Sequence, residues 1–389
     1  MTSAAPPTDP AAEADRAGAL LTVDLDAIAE NYRRLGAILR PGAQCAGVVK
    51  ADGYGCGAIK VARRLFAEGC RVFFVARASE GFALKPHLPD AEVCVLDGLL
   101  PGLAADYAEA GVVPVLNDSG QVEAWTTYCA ANEYRPPVIL HVDTGMNRLG
   151  MSAAEAETIA GEPGAFRAFT DVLVMSHLIV SEEPEHPANA AQLAAFRGVR
   201  ARFPKAKASL VNSSGVFLGG AYHFDLARPG YALYGGNPTP GKPNPMTSAV
   251  QLLARVLQVR EVDSPGTVGY GATAPIGAGG RVATIAVGYA DGYLRSLSNR
   301  GEAWIGRHRV PVIGRVSMDL VTLDVSSVPP EACRVGDFAE LIGANIGVDD
   351  VAERAGTNGY EILTSLGPRY RRAYLGDANL GDAEPGGAG

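Results

Sequence analysis

The chain has 389 residues, 47% hydrophobic and 20% charged, a composition typical of a globular protein with room for two domains. Its 34 basic and 42 acidic residues give a net charge of −8, which argues against nucleic acid or an anionic membrane surface as a partner. The six cysteines have no CxxC pair and no regular spacing, so the sequence predicts no metal site and no disulfide framework, and it favours a reducing, cytoplasmic location.

The N-terminal segment, residues 1–20, is rich in alanine, proline and acidic residues and lacks a continuous apolar core. It is predicted to be a disordered tail and not a signal peptide. No later stretch has the uninterrupted apolar length that crosses a bilayer, so no membrane partner is expected.

Residues 21–243 are predicted to form the first domain, in which short apolar runs alternate with amphipathic, helix-like segments. Each run has the length and continuous apolarity of a strand that is buried on both faces. The predicted strands are 45–50, 72–76, 92–97, 112–117, 137–143, 171–177, 208–212 and 224–228. Eight evenly spaced strand and helix units favour a closed α/β barrel of the (β/α)8 type over the alternative, a doubly wound open sheet.

Residues 244–376 are predicted to form a second, mainly β domain. A proline- and glycine-rich break at 238–245 precedes it, and alternating apolar runs separated by turns follow. The early segment 21–25 precedes the first barrel strand and is a candidate to pair with this β domain. Residues 377–389 are rich in glycine, aspartate and alanine and are predicted to be a flexible tail.

Polar residues stand where the predicted barrel strands end, and the chemistry of such barrels gathers at that edge. A single polar residue there is ordinary, but a set that recurs at five strand ends predicts one shared mouth. The set consists of Lys50, Asp143 with Arg148, His177, Asn212 with Ser213, and Arg228.

Lys50 follows an apolar strand and precedes a glycine-rich turn. Desolvation at a barrel rim lowers the pKa of a lysine and frees its amine to react with a carbonyl group. The alternative is a lysine that extends from the strand into solvent. The glycines, serines and backbone N–H groups of 212–215 and 227–236 suit a phosphate, although ordinary turn chemistry also explains such loops. Together these features suggest a phosphorylated aldehyde cofactor.

Eight segments in chain order resemble the successive motifs of the alanine racemase family. They are VVKADGYGCGA around Lys50, HVDTGMNRLG at 141–150, VMSHL at His177, VNSSG at Ser213, ARPGYALYG at Arg228, VGYGAT at Tyr270, VGYADGYLR at Tyr289 and IGRVSMD at Met318. The resemblance extends from residue 21 to about residue 372. It implies an isomerase that interconverts L-alanine and D-alanine with pyridoxal 5'-phosphate. It further implies a homodimer whose active sites are shared between subunits, and a role in supplying D-alanine for peptidoglycan or in L-alanine catabolism.

The resemblance also implies a role for individual residues. Lys50 matches the lysine that binds the cofactor covalently and acts as one catalytic base, and Tyr270 matches the opposite base, supplied by the other subunit. The cofactor-binding residues that it implies are Lys50, Tyr54, Arg148, His177, Asn212, Ser213, Arg228, Gly230 and Tyr231. The substrate-binding residues that it implies are Arg148, Tyr289, Met318 and Asp319.

These implied roles agree with elementary chemistry. Racemisation removes a proton from one face of Cα and returns one to the other, so two bases on opposite faces are the simplest device. Arg228, which matches the arginine at the pyridine nitrogen, does not readily give up a proton and therefore leaves that nitrogen unprotonated.

Several positions depart from the family pattern. In the turn after Lys50 the family often reads ANAYGHG, whereas this chain has ADGYGCG, with Asp52, Gly53 and Cys56 substituted. Pro368 stands where the family has a phosphate-contacting tyrosine, and Tyr370 is the candidate to replace that contact. His141 stands where some members carry a carbamylated lysine that orients the arginine, so that modification is ruled out here.

Four alternatives stay open from the sequence. They are an amino-acid racemase of broader specificity that also accepts serine, a related pyridoxal-phosphate decarboxylase of the same barrel class, a non-catalytic pyridoxal-phosphate-binding barrel, and a metabolic barrel enzyme without a cofactor.

Overall fold

The structure is a computed structural model that describes residues 17–162, 164 and 166–377. The chain forms two compact units, one made of Leu25–Thr247 and the other of Ser248–Gly376 together with the described residues up to Asp24. Of the two predicted tails, residues 1–16 and 378–389 lie outside the described residues. The end of the predicted N-terminal tail is ordered, because Ala19 and Leu20 begin the first strand.

The strands are β1 (Ala19–Asp24), β2 (Gln44–Cys45), β3 (Gly47–Val48), β4 (Val72–Val75), β5 (Glu92–Val95), β6 (Val113–Leu116), β7 (Val138–His141), β8 (Val172–Met175), β9 (Lys207–Ser209), β10 (Leu226–Ala227), β11 (Val250–Glu261), β12 (Gly266–Val268), β13 (Ala274–Ile276), β14 (Arg281–Ile285), β15 (Glu302–Ile305), β16 (His308–Pro311), β17 (Val321–Asp324), β18 (Phe338–Ile342) and β19 (Arg371–Leu375). The helices are α1 (Leu25–Ile38), the short turn α2 (Lys50–Tyr54), α3 (Ala58–Ala67), α4 (Ala78–Leu84), α5 (Ala104–Ala110), α6 (Ser119–Ala131), α7 (Ala153–Gly161), α8 (Pro187–Ala201), α9 (Gly220–His223), α10 (Val348–Ala355) and α11 (Gly359–Thr364).

The first unit is a closed parallel barrel. Strands β3 to β9 pair in chain order, and β10 pairs in parallel with β2, which precedes β3. Backbone hydrogen bonds join β10 to its neighbours on both sides: Arg228 N donates to Val211 O at 2.9 Å, and Val48 N donates to Pro229 O at 3.1 Å. The predicted (β/α)8 barrel is confirmed and the open-sheet alternative is wrong.

Most barrel strands are largely apolar because helices cover the sheet outside and side chains fill it inside. All four residues of β6 are buried, as are all four of β7. Helix starts follow ordinary capping rules: the Asp118 carboxylate accepts from Gln121 N at 2.8 Å at the start of α6. Because all of the barrel strands are parallel, their C-terminal ends lie at the same end of the barrel. The polar residues predicted at those ends meet there, at one mouth.

The second unit is built around the long strand β11, which pairs with β1, β14 and β18. Strand β1 lies between β11, which is antiparallel to it, and β19, which is parallel to it. The predicted start of the barrel at residue 21 is therefore corrected to Leu25. The reason is that Leu21 and Val23 alternate with less buried residues and are fully buried in this sheet.

The other boundary shifts by a few residues. Thr247 belongs to the barrel unit because its backbone N–H donates to Asn31 Oδ1 and its carbonyl accepts from Asn31 Nδ2, both at 2.8 Å. Asn31 is itself fully buried on α1, so this pair fixes the end of the barrel segment. Within the described part of the chain, no helix combines the length and apolarity that a membrane span requires.

Candidate active site

Lys50 lies two residues after the end of β3 and begins a left-handed turn. Ala51, Asp52, Gly53 and Tyr54 have φ angles of 53°, 52°, 62° and 55°. Each non-glycine residue in this conformation costs about 1–2 kcal/mol, so the surroundings must hold the turn in place. A Cβ at Gly53 would lie 3.1 Å from the backbone of Ala58, which explains the glycine there.

Glu80, on α4, supplies part of that support. Its carboxylate accepts from Ala51 N at 2.7 Å, and also from Ala76 N at 2.8 Å and Arg77 N at 3.1 Å just after β4. The residue after Lys50 is thereby tied to the end of the neighbouring strand. Sequence reasoning missed Glu80. The available signal was its position three residues after Arg77, where a glutamate caps a helix start.

The Lys50 amine lies in an environment that favours its neutral form. Burial lowers the pKa of Lys50, and the positive charge of Arg148 lowers it further, whereas Glu80 and Asp97 act in the opposite direction. A larger fraction of neutral amine makes a lysine a better nucleophile and a better base.

Arg228 is buried, with 5% of its surface exposed. Its Nη2 donates to Ser176 O at 2.6 Å, its Nη1 donates to the hydroxyl of Ser209, and its Cζ lies 5.9 Å from the centre of the Phe74 ring. Among the described residues it has no carboxylate partner in an ion pair. Burial lowers the pKa of Arg228 to about 10, which still leaves it protonated at neutral pH.

Two histidines at the mouth are neutral. Burial and the charge of Arg228 lower the pKa of His177 to about 3 and that of His141 to about 4. His141 Nδ1 lies 2.7 Å from Asn117 Oδ1, while Asn117 Nδ2 donates to the carbonyls of Leu96 and Val115. Because the amide nitrogen is occupied as a donor, Oδ1 is the acceptor, and the His141 proton is on Nδ1.

The loops after β9 and β10 form a cradle of hydroxyl and backbone N–H groups. The Ser213 hydroxyl accepts from Gly230 N at 3.0 Å and from Ala232 N at 3.1 Å. A Cβ at Gly230 would overlap the hydroxyl of Tyr54, so only glycine lets the Tyr54 phenol approach this backbone. Because the Ser213 hydroxyl accepts from both N–H groups, its own hydrogen is the one it can donate to a phosphate.

Two further residues predicted to bind the cofactor also lie at this cradle. The Asn212 side-chain oxygen accepts from Gly215 N at 2.9 Å in its own loop and from the hydroxyl of Ser181, in the loop after β8, at 2.8 Å. Tyr231 is buried at the start of the turn that follows Gly230, and its ring fills the space beside Gly236.

Arg148 is exposed on a loop whose backbone is fixed. The Asp143 carboxylate accepts from Gly145 N, Met146 N and Asn147 N, each at 2.8 Å, and these bonds lower the pKa of Asp143. The loop is closed at its base by Asp143 N, which donates to Met151 O at 2.9 Å. This framework fixes the backbone from which the exposed Arg148 side chain extends.

The four candidate residues of the β unit lie on loops that touch one another. Tyr289 N donates to Ser317 O and Ala290 N donates to Met318 O, both at 3.0 Å. Tyr270 lies on a short turn between Gly269 and Gly271, and a Cβ at Gly271 would lie 3.0 Å from the Arg315 guanidinium. Tyr270, Tyr289 and Met318 expose 71%, 42% and 54% of their surfaces, which is unusual for large apolar side chains.

Arg369 links the loop that carries Tyr289 to the loop that carries Met318, and the sequence did not predict it. Its guanidinium pairs with Asp319 at 2.8 Å and with the buried Asp291 at 3.1 Å. Tyr370, the candidate to make the phosphate contact that Pro368 cannot make, is 5% exposed. Its hydroxyl is buried inside the β unit and has no hydrogen-bond partner among the described residues, so this suggestion is not supported.

The structure thus brings the predicted barrel residues to one mouth of the barrel and gathers the predicted β-unit residues on neighbouring loops of the β unit. The barrel mouth fits a phosphorylated aldehyde on three grounds: an amine of lowered pKa, a cradle of phosphate donors, and a buried guanidinium without an acidic partner in the described chain. Tyr54, Ser213 and Gly230 form the cradle, and Lys50 supplies the amine.

Comparison with known proteins identifies relatives over nearly the whole described chain. Residues 23–238 match the family model for the alanine racemase N-terminal domain, and residues 249–374 match the model for its C-terminal domain. Alanine racemase from Rhodospirillum rubrum is 52% identical over 93% of this chain and 97% of its own length. A catabolic alanine racemase from Mesorhizobium japonicum is 51% identical over 92% of this chain and 94% of its own.

Solved structures agree with these sequence matches. The crystal structure of alanine racemase from Bartonella henselae, which contains covalently bound pyridoxal phosphate, is similar to this chain with a TM-score of 0.88 and 39% identity. The similarity covers 92% of this chain and 100% of that one.

Proposed function

Because the chain belongs to the alanine racemase family, we propose that it interconverts L-alanine and D-alanine with pyridoxal phosphate as its cofactor. The observation that carries the proposal is the barrel mouth. There the pKa of the Lys50 amine is lowered. The positive charges of Arg228, Arg148 and Lys50 in turn act on His177. The Ser213 cradle lies at the ends of the last two strands of the same mouth.

In this proposal the cradle holds the phosphate and Lys50 holds the aldehyde carbon. The chemistry that the cofactor supplies when bound is electron withdrawal from the substrate Cα, which acidifies the proton there. Arg228 contributes a fixed positive charge at the ring nitrogen. Because Arg228 stays protonated, it does not transfer a proton to the ring nitrogen. An unprotonated ring nitrogen restrains side reactions such as transamination.

Two bases move the proton in the proposed reaction. The Lys50 amine serves one face of Cα, and the phenol of Tyr270 serves the other. We assign Tyr270 to the partner subunit, so that each active site of a homodimer combines one barrel mouth with the other chain's β unit. The wide exposure of Tyr270 in the single chain supports this assignment, because a surface of that kind is ordinarily covered by a partner.

Small substrates suit this arrangement. Arg148 provides a cation for the substrate carboxylate, and Tyr289, Met318 and Asp319 are proposed to bound the space around the side chain. Supply of D-alanine for peptidoglycan or L-alanine catabolism is the metabolic role that follows. We also propose a cytoplasmic location, where reducing conditions suit six cysteines that are held as free thiols.

The test is to purify the chain with pyridoxal phosphate, record its visible absorption, and follow the conversion of each alanine enantiomer separately. We expect visible absorbance and equal amounts of the two enantiomers at the end. Lys50→Ala is expected to lose both the visible band and the conversion.

The same experiment also tests the other candidate functions. L-serine is assayed in parallel for a racemase of broader specificity, and release of carbon dioxide for a decarboxylase. Cofactor binding with no turnover of any amino acid would point to a non-catalytic barrel and overturn the proposal, and so would a purified chain that binds no cofactor.

A further inference from the structure

Gln192 is a buried polar residue that the proposed reaction does not use. It lies on α8, on the face that also carries the buried residues Leu193 and Phe196, and only 2% of its surface is exposed. A glutamine among apolar neighbours is costly unless its amide is fully hydrogen-bonded. The partners of this amide therefore indicate what it does.

The amide of Gln192 holds the backbone on both sides of residue 178. Its Nε2 donates to His177 O at 2.9 Å, and its Oε1 accepts from Ile179 N at 2.9 Å. A carbonyl and an N–H group face it, so the orientation of the amide is fixed. It acts on this segment as a neighbouring strand would, just beyond the end of β8, and so fixes the backbone from which the His177 side chain extends.

The same amide reaches a second loop of the mouth. Gln192 Nε2 also lies 3.2 Å from the Thr144 hydroxyl, next to Asp143 in the loop that carries Arg148. The Thr144 hydroxyl is 2.7 Å from the hydroxyl of Ser176, whose carbonyl accepts from Arg228 Nη2 at 2.6 Å.

We propose that Gln192 is a positioning residue for the cofactor site, because it fixes the backbone of His177 and couples the Arg148 loop to the segment that holds Arg228. The proposal rests on the proposed function in that His177, Arg148 and Arg228 are taken to face the cofactor. Gln192 touches neither cofactor nor substrate, and its effect is transmitted through those three residues.

Asn189 provides a matched control. It lies one turn earlier on the same helix, is 1% exposed, and also donates to backbone carbonyls through its amide. Its partners are Val180 O at 3.3 Å and Glu183 O at 2.9 Å, farther along the loop from His177. Loss of the Asn189 amide should therefore cost stability without disturbing the mouth.

The experiment replaces each amide by an apolar side chain of similar size, in Gln192→Met and Asn189→Leu, in the cofactor-loaded protein. The measurements are the dissociation constant for pyridoxal phosphate, the visible spectrum as a function of pH, kcat and KM for alanine, and the melting temperature. We expect Gln192→Met, which removes all three hydrogen bonds of the amide, to weaken cofactor binding about tenfold because part of their loss falls on the cofactor site, and to shift the visible spectrum. Asn189→Leu should lower the melting temperature alone.

Thr144 provides a second pair of variants that does not depend on the folding of Gln192→Met. Thr144→Val removes the hydroxyl that links the two loops and keeps the side-chain shape, whereas Thr144→Ser keeps the hydroxyl. We expect Thr144→Val to shift the spectrum in the same direction as Gln192→Met, and Thr144→Ser to resemble the unchanged protein.

Two outcomes overturn the proposal. The first is a Gln192→Met protein that loses stability as Asn189→Leu does but keeps its cofactor affinity and spectrum. The second is a pair of Thr144 variants with identical spectra. Either result leaves the proposed function intact, because the unchanged protein would still bind the cofactor and racemise alanine. Failure of the unchanged protein in those assays would instead contradict the proposed function.

Discussion

The two histidines of the barrel mouth illustrate how a single residue is set by its surroundings. His141 and His177 keep neutral rings beside the buried Arg228, because burial and that positive charge both oppose a second proton. Neutral imidazoles add no further positive charge where Arg148 and Arg228 already lie. This choice of protonation state has a measurable consequence for stability.

We predict that the free energy of unfolding falls as the pH drops from about 6.5 towards 4. In that window the unfolded chain protonates His141 at its ordinary pKa, whereas the folded chain, with a pKa of about 4, does not, so unfolding is favoured. Each such histidine contributes a slope of up to about 1.4 kcal/mol per pH unit. Urea unfolding of the unchanged protein and of His141→Gln across this range measures it.

His141→Gln should show a shallower dependence on pH below 6.5. The comparison at pH 8 is the control, because the imidazole is neutral in both states there and only the packing change remains. Parallel curves for the two proteins down to pH 4 would contradict the assignment.

The two faces of Cα give a second prediction at the scale of one residue. Tyr270→Phe should slow proton abstraction from L-alanine by about 10²–10⁴-fold, the usual contribution of a general base, and slow abstraction from D-alanine far less. The rates of racemisation in the two directions are linked by an equilibrium constant of one. The measurement is therefore exchange of the α-hydrogen with D2O, followed for each enantiomer before it inverts.

The matching variant Lys50→Ala should abolish exchange from both enantiomers, because it also removes the attachment of the cofactor. Equal slowing of exchange from L-alanine and D-alanine in Tyr270→Phe would refute the assignment of faces.

At the scale of elements, the turn α2 is the most strained part of the barrel mouth. Three non-glycine residues of this turn, Ala51, Asp52 and Tyr54, hold left-handed backbone angles directly after Lys50. The hydrogen bonds from Ala51 N to Glu80 and from Ala58 N to Asp52 Oδ1 offset part of that cost. The turn therefore makes the chain reverse at once after Lys50.

We predict that Ala51→Gly stabilises the protein by up to about 1 kcal/mol. Removing the Cβ relieves about 1–2 kcal/mol of left-handed strain, and the greater freedom of glycine in the unfolded chain cancels part of the gain. Ala124→Gly, at an exposed position inside the right-handed helix α6, is the control and should cost about 1 kcal/mol. Thermal or urea unfolding distinguishes the two signs, and destabilisation by Ala51→Gly would contradict the strain argument.

The strands and helices were largely predictable from the sequence, whereas the side chains that hold the loops of the site in place were not. The predicted strands at 72–76 and 92–97 correspond to β4 and β5, because a strand that is largely buried on both faces has a nearly continuous apolar run. The run at 45–50 is split into β2 and β3, and its last residue begins the left-handed turn, which no periodicity indicates. The hydrogen bonds of Glu80 to Ala51 and of Gln192 to Thr144 join positions far apart in the sequence, so only the folded chain reveals these contacts.

At the scale of the whole molecule, the proposed sharing of active sites is the feature most open to test. The barrel mouth carries Lys50 and the β unit carries Tyr270, and in a homodimer each site would take one from each chain. We predict that a mixture of the inactive variants Lys50→Ala and Tyr270→Phe regains activity after their subunits are exchanged.

In that mixture half of the dimers are hybrids, and each hybrid has one intact site out of two. The expected recovery is therefore about a quarter of the unchanged activity. Each variant refolded alone is the control, and sedimentation establishes that dimers re-form. Dimers that re-form without recovering activity would show that Lys50 and Tyr270 of the same chain work together.

The position of β1 has a consequence for how the chain is made. Its residues pair with β11 and with β19, so both of its partners are synthesised after the entire barrel. During synthesis on the ribosome, the barrel can close before β11 and β19 have been made. Leu21 and Val23 then remain exposed. The β sheet can be completed only after Arg371–Leu375 has been synthesised. The last described strand of the chain, β19, therefore pairs with its first, β1.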